Sequence, residues 1–140
     1  MAIVQMLGAG VVAGILGNVT GYLLTGRLFH GYQARTPNTW RAAESWTSYL
    51  YSAGVRVLAC VGIALLYSEL AQGNAIFGGG TLFGGAMFGL CLWAVAVAPV
   101  ILETALFVNW HRGFVLGLLL DWLVVFNVAG MAAAVAARAS

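Results

Sequence analysis

The sequence predicts an all-α fold, an integral membrane four-helix bundle. Of its 140 residues, 62% are hydrophobic and 7% are charged, whereas a soluble domain would carry roughly 25% charged residues. Four apolar runs are each long enough to cross a bilayer, for which about 20 residues suffice. Because no water satisfies peptide groups inside hydrocarbon, each run must be helical. We place the spans at 3–25, 46–70, 81–108 and 113–137, within a single transmembrane domain that covers residues 1–140.

Span one carries a stripe of glycines at spacings of four, three and four residues, and span four opens with two more glycines four residues apart. In lipid, small residues let helix backbones approach and pack by van der Waals contact. The predicted helix-packing glycines are Gly10, Gly14, Gly17, Gly21, Gly113 and Gly117. Their partners are expected either within the chain or on another subunit.

The two connections on one side of the predicted membrane carry four arginines, which are Arg27, Arg35, Arg41 and Arg112. The opposite side carries Arg138. Because cytoplasmic loops are enriched in Lys and Arg, this bias predicts that both arginine-bearing connections are cytoplasmic and both termini are outside.

The connector before span two contains Thr36 followed by Pro37, a pattern typical of an N-cap with proline at the first helical position. It predicts an interfacial helical segment over about 37–45 that runs continuously into span two. Trp40, Trp46, Tyr49 and Tyr51 follow, which is typical of the aromatic belt at headgroup level.

Four polar residues from four different spans are predicted to share one layer of the membrane. At about 1.5 Å per residue, Arg56 lies roughly 15 Å in from the arginine-rich side, Asp121 roughly 13–14 Å, Asn18 about 12 Å and Glu103 about 9 Å. Polar residues inside spans are costly and usually functional. This constellation is the candidate binding or ion-pair cluster.

Helical spacing places each charge on a face that can pack inward. Arg56 shares a face with Tyr49, Ser52 and Cys60, and Asp121 shares one with the glycines of span four. In span three, Glu103 lines up with Gly85, Gly89, Trp93, Ala96 and Pro99. We expect Arg56 to pair with Asp121, with Glu103 within reach of the same guanidinium. The cluster would either only lock the bundle or leave a carboxylate free to titrate or to bind a cation or polar ligand.

Other chemistries find little support. There is no lysine for a phosphate-binding loop, no zinc spacing and no protease or hydrolase motif, so no cofactor, metal or catalytic residue is predicted. Cys60 and Cys91 fall in different spans, and His30 and His111 fall near a membrane boundary rather than at the depth of haem ligands. The net charge of +2 is too small and dispersed for a nucleic-acid partner.

The stretch from Gly84 to Ala134 resembles small uncharacterised bacterial inner-membrane families with four spans. The similarity lies in a glycine-rich third span that ends in Pro99 and Asn109, then a short turn and a final span that begins His111-Arg112-Gly113. It implies a bacterial inner-membrane location. Those families have no assigned activity to carry over.

Three functions follow as hypotheses. The first is a small oligomeric protein that moves an ion, a proton or a small solute past the Arg56, Glu103 and Asp121 cluster. The second is a non-catalytic structural or assembly subunit of a larger membrane complex, packed through its glycine faces. The third is a membrane enzyme acting on a lipid-soluble substrate, although an enzyme is the less favoured class. The predicted partners are the lipid bilayer and either further copies of the chain or other membrane subunits.

Overall fold

The computed structural model describes residues 2–36, 45–71 and 74–139. In this part of the chain, four helices are long and apolar enough to cross a membrane: Ile3–Leu28, Trp46–Leu70, Leu82–Phe107 and Arg112–Arg138. They pack into an all-α four-helix bundle, so the predicted fold class is confirmed. We call residues 29–36 the connector, and the end of the bundle that holds them and the 108–111 turn the connector end. The opposite end, which holds the 71–81 loop, is the terminal end.

Span one is longer than predicted, because its helix continues past residue 25 to Leu28. Helix α1 (Ala2–Leu23) continues as a π-helical segment (Leu24–Leu28), closed by a bond in which the Phe29 N–H donates to the Leu24 carbonyl at 2.9 Å. A 3₁₀ segment over His30–Arg35 follows.

Helix α2 (Trp46–Leu70) begins at its own N-cap. Ser45 has an extended backbone, and its hydroxyl accepts from the Ser48 N–H at 3.1 Å. The predicted continuous helix running through residue 45 is therefore wrong, because Ser45 is extended and caps a new helix. The remainder of the predicted interfacial segment, with Trp40 and Arg41, lies outside the described residues.

Span three is two α-helices joined by a π-helical turn. Helix α3 (Leu82–Leu92) passes through Trp93–Val97 into α4 (Ala98–Phe107), and the Ala98 N–H donates to the Trp93 carbonyl five residues back. Proline inside an α-helix removes a hydrogen bond and clashes with the carbonyl four residues earlier. The wide turn directly before Pro99 absorbs this conflict without breaking the span.

Helix α5 (Arg112–Arg138) is the central element and contacts α1, α2, α3 and α4. It begins at His111, whose Nδ1 accepts from the Gly113 N–H at 3.0 Å. Its buried face toward the terminal end is formed by small residues such as Ala129 and Ala133, which let neighbouring helices approach closely.

Glycines set the helix spacing at two crossings. A Cβ on Gly10 would lie 2.5 Å from the Val61 Cα, and one on Gly14 would lie 2.6 Å from the Val57 Cα, so these glycines bring α1 against α2. At the second crossing, Gly85 of α3 lies against the backbone of Gly130 in α5. The sequence analysis named the first pair and overlooked Gly130.

The core runs from mid-membrane to the terminal end and consists of apolar side chains. Its fully buried members include Met6, Ala13, Cys60, Tyr67 and Val125. Tyr67 keeps its hydroxyl satisfied by donating to the Phe77 carbonyl at 2.9 Å. The connector half of the bundle is organised differently, around charges.

Candidate functional site

The site is built on an ion pair between α2 and α5. Arg56 Nη1 lies 2.8 Å from Asp121 Oδ1, and Arg56 Nη2 lies 2.8 Å from Asp121 Oδ2. The side chains are 12% and 1% exposed, respectively. Two parallel bonds of this kind fix both planes and strengthen the pair. The pairing expected from the sequence is therefore present.

Further partners satisfy the pair from α1, its π-helical extension and α5. Arg56 Nη1 also donates to the Gly17 carbonyl at 3.1 Å, and the Thr25 hydroxyl donates to Asp121 Oδ2 at 3.0 Å. The Arg56 guanidinium carbon lies 4.9 Å from the centre of the Trp122 ring, a cation–π contact. The charges are thus paired and hydrogen-bonded at once, which is the condition for burying them.

Glycines of span one make the space for the guanidinium. A Cβ on Gly21 would lie 2.8 Å from the Arg56 Cζ, and one on Gly17 would lie 3.4 Å from the Arg56 Cδ. The predicted stripe therefore divides by depth. Gly10 and Gly14 seat the α2 backbone, whereas Gly17 and Gly21 accommodate the Arg56 side chain.

The π-helical segment Leu24–Leu28 positions Thr25 beside the carboxylate. Turns of this type are frequent at functional sites. Thr25 is not among the residues predicted from the sequence, although it follows Gly17 and Gly21 at a spacing of four residues and so continues their face. The contact made by Trp122 is not predicted either, because the sequence carries no signal for it beyond adjacency to Asp121.

Asn18 lies beside the pair without bonding to it. Its Nδ2 donates to the Gly14 carbonyl at 2.9 Å and to the Ala53 carbonyl at 3.4 Å. The amide therefore links α1 to α2. The Asn18 side chain also lines the cavity that lies beside the ion pair.

The cavity has a volume of about 410 Å³ and lies between span one with its following connector, α2 and α5. The Arg56–Asp121 pair forms part of its wall, with Trp122 beside it. The other polar side chains that line it are Asn18, Tyr22, Thr25, His30, Gln33, Tyr49 and Ser52. A polar chamber at the connector end thus reaches inward to the ion pair, where the apolar core begins.

Glu103 lies outside this site, contrary to the sequence-based expectation. Its side chain is exposed on α4, it does not line the cavity, and the ion pair found among the described residues joins Arg56 to Asp121 alone. The reason is the π-helical turn Trp93–Val97. One extra residue in a turn rotates everything after it by roughly 100° relative to a continuous α-helix, so Thr104 takes the more inward direction that Glu103 would have had.

Gly113 and Gly117 pack against aromatic rings of the connector rather than against another helix. A Cβ on Gly113 would lie 2.8 Å from the Tyr32 ring, and one on Gly117 would lie 2.5 Å from the Phe29 ring. The Tyr32 ring stacks in turn on His111, with 4.7 Å between ring centres. These glycines therefore anchor the connector that borders the cavity.

The arrangement offers a neutralised ion pair, several hydroxyl and amide groups, and space for a small ligand. Both cysteines are free thiols, and in the described ranges no three His, Cys, Asp or Glu side chains come together as metal ligands. No known protein family, curated protein sequence or solved structure matches the chain.

Proposed function

We propose that this multi-pass membrane protein is a small transport or permeation protein that moves an ion, a proton or a small solute past the Arg56–Asp121 pair. The observation that supports this proposal is the polar cavity that reaches the pair from the connector end. A side-chain lock alone needs no such chamber. Glu103, which the sequence analysis included in this path, is not part of the proposal.

The ion pair serves as the inner barrier in this mechanism. A charged or strongly polar solute in the cavity competes for one partner, the guanidinium or the carboxylate, and thereby loosens the other. Removing one member of a buried pair costs about 3–5 kcal/mol, so the opened state is a minor one until the solute compensates for that cost. A ligand can shift such an equilibrium only by its differential affinity for the two states.

We further propose a bacterial inner-membrane location with the connector end in the cytoplasm and both termini outside. The location follows the resemblance of residues 84–134, and the orientation follows the arginine bias. Assembly with further copies is supported by Glu103, because a carboxylate on the outer face of a span is costly against lipid. A neighbouring subunit would shield it.

The test uses a pair of substitutions that preserves the fold while removing the charges. Replacing a buried ion pair with apolar residues of similar volume is often neutral or stabilising, whereas removing one partner is strongly destabilising. We therefore expect Arg56→Met and Asp121→Leu each to lower stability by about 3–5 kcal/mol, and the double variant to recover it. Flux of protons, ions or small solutes into proteoliposomes should be lost in the double variant.

The control is Glu103→Gln, which removes an acid outside the cavity and should leave flux unchanged. Wild-type flux through the double variant would contradict the proposal, as would proteoliposomes of the wild-type protein that move no proton, ion or solute.

A structural lock is the second candidate function, and it is favoured by the complete hydrogen bonding of the pair. In a non-catalytic assembly subunit the double variant would behave as the wild-type protein in every assay. The single variants would lose only abundance or assembly. A double variant that recovers stability but not flux supports transport, whereas one that recovers full wild-type behaviour supports the structural lock.

A further inference from the structure

A second cavity lies next to the polar one, and its lining is more apolar. It is an apolar groove of about 350 Å³ between α2, span three and α5. Ala59 lines one side, and Ala96, Val97 and Ile101 line the other, with Trp122 and Phe126 also in its wall. Both cavities fall in the size range of small-ligand pockets, roughly 300–1,000 Å³.

Trp122 is a wall shared by the two cavities. Arg56 lies over its ring, and Phe126 meets it edge to face at 6.1 Å between centres. The two cavities therefore share one lining side chain, the indole of Trp122.

Each cavity is also bordered by a π-helical segment. Leu24–Leu28 contributes Thr25 and Gly26 to the polar cavity, and Trp93–Val97 contributes Ala96 and Val97 to the groove. Irregular turns of this kind concentrate at functional sites, and here both of them face ligand-sized space.

The polar cavity favours an anion at its mouth. Its acid, Asp121, is already paired with Arg56. Arg27 is exposed and does not itself line the cavity, but its Nε donates to the hydroxyl of Tyr22, a lining residue, at 3.4 Å. His30 also lines the cavity, so the available donors meet a ligand whose head is negative.

A purely hydrophilic solute that passes the ion pair would meet an apolar interior, which does not solvate it. Beyond the ion pair toward the terminal end, the interior consists of buried apolar side chains such as Ala13, Cys60 and Val125. An amphiphile meets a better-matched environment, because its chain has the adjoining groove while its head stays in the polar cavity.

We infer that the ligand is an anionic amphiphile, whose negatively charged head occupies the polar cavity and whose apolar chain lies in the groove beside Trp122. This inference rests on the proposed function and names the class of molecule moved. It joins the two cavities into one site with Trp122 between head and chain.

The test measures tryptophan fluorescence of the protein in nanodiscs of unbrominated phosphatidylcholine. Phosphatidic acid with brominated chains is added as the anionic probe, and brominated phosphatidylcholine as the zwitterionic one. We expect saturable quenching with the anionic probe at low mole fraction and only proportional, unsaturable quenching with the zwitterionic one. The saturable component should become smaller in Trp122→Phe, and the remainder should come from Trp93, whose turn borders the groove.

Matched variants distinguish the contribution of the lipid head to binding from the contribution of its chain. Arg27→Gln should raise the mole fraction for half-maximal quenching about tenfold, the effect of losing one hydrogen bond to a charged group, whereas Arg112→Gln at the same end should change it less than threefold. Ala96→Phe fills the groove and should abolish the saturable component. Ala94→Phe, on the same turn but outside the groove, should retain it.

Equal quenching by both probes would overturn the inference, and so would saturable quenching that survives Ala96→Phe. Displacement of the anionic lipid by an equimolar amount of inorganic phosphate would also overturn it, since the chain would then contribute nothing. If Ala96→Phe does not fold, Ala59→Leu fills the groove from α2 and carries the same expectation.

The two proposals fail in different ways. Saturable quenching with no flux of any solute leaves the amphiphile site standing and removes the transport function. Flux of a hydrophilic solute without saturable quenching leaves the transport function standing and removes the amphiphile site.

Discussion

Asp121 depends entirely on its neighbours for the solvation that water would otherwise provide. A charged side chain at the bilayer centre costs about 2.5–3.5 kcal/mol on insertion scales, and this carboxylate is 1% exposed. Arg56 compensates with two bonds, and Thr25 adds a third. A side chain held by this many contacts has one geometry, so small changes beside it should be measurable.

Gly21→Ala tests how tightly the guanidinium is seated. The added methyl group would lie 2.8 Å from the Arg56 Cζ, so the side chain must shift and its bonds to Asp121 must lengthen. We expect a loss of about 1–3 kcal/mol, as for overpacked sites, in the free energy of unfolding measured in mixed micelles.

The control for this prediction is Gly8→Ala on the same helix, where an added Cβ meets nothing within 4 Å. It should be neutral or stabilising by up to about 1 kcal/mol, because alanine favours helix over glycine. Equal losses from the two substitutions would show that glycine in α1 matters for reasons other than the seat of Arg56.

At the scale of elements, the π-helical turn of span three decides which residues face inward. The prediction that Glu103 joins the cluster assumed a continuous helix from Gly85 onward. That assumption holds through Trp93, whose Nε1 donates to the Leu119 carbonyl at 3.0 Å. It fails after Val97, because the register has moved by one residue. Pro99 signals a disturbance in the helix, but the sequence does not say whether the result is a kink or a wide turn.

Deleting Ala94 together with Pro99→Ala should leave the bundle intact. The π-helical turn already holds one residue more than an α-turn, so this deletion converts it to α-helix and keeps the orientation of α4. We expect the melting temperature in detergent to fall little, with oligomeric state and circular dichroism unchanged.

Deleting Leu102 in the same Pro99→Ala background is the matched control. That deletion lies within regular α-helix, so it rotates the residues after it by roughly 100° and should destabilise the bundle clearly. A larger loss from the Ala94 deletion than from the Leu102 deletion would contradict our account of why Glu103 faces outward.

The whole molecule is arranged around α5, which touches every other span. Its terminal half packs through small residues against α1, α2 and α3, and its connector half carries Asp121 and Trp122 into the site. The bundle therefore combines a tightly packed half with a half that contains cavities.

Ala129→Leu tests the rigidity of the packed half. Ala129 is fully buried in the core cluster, so a larger side chain should cost about 1–3 kcal/mol through overpacking and lower the midpoint of unfolding. Val135→Leu on the same helix changes an exposed position and should stay within about 0.5 kcal/mol. A tolerated leucine at residue 129 would mean that this half of the bundle is not closely packed.

Composition and periodicity by themselves determined the four spans, the all-α class and the pairing of Arg56 with Asp121. The physical reason is that hydrocarbon imposes severe local rules: peptide groups must bond within the helix, and a buried charge must find its opposite. These rules constrain each residue locally, so their consequences can be predicted from the amino-acid sequence.

Three features became visible only in the folded bundle: Glu103 faces outward, Thr25 and Trp122 complete the ion-pair site, and a polar cavity adjoins an apolar groove. Each of these depends on a helical register set by a π-helical turn or on the angle at which two helices meet. A one-residue change of register rotates the side chains that follow by roughly 100°, yet it leaves hydropathy almost unchanged. Pro99 marks where span three is disturbed, but the new register is visible only in the packed bundle.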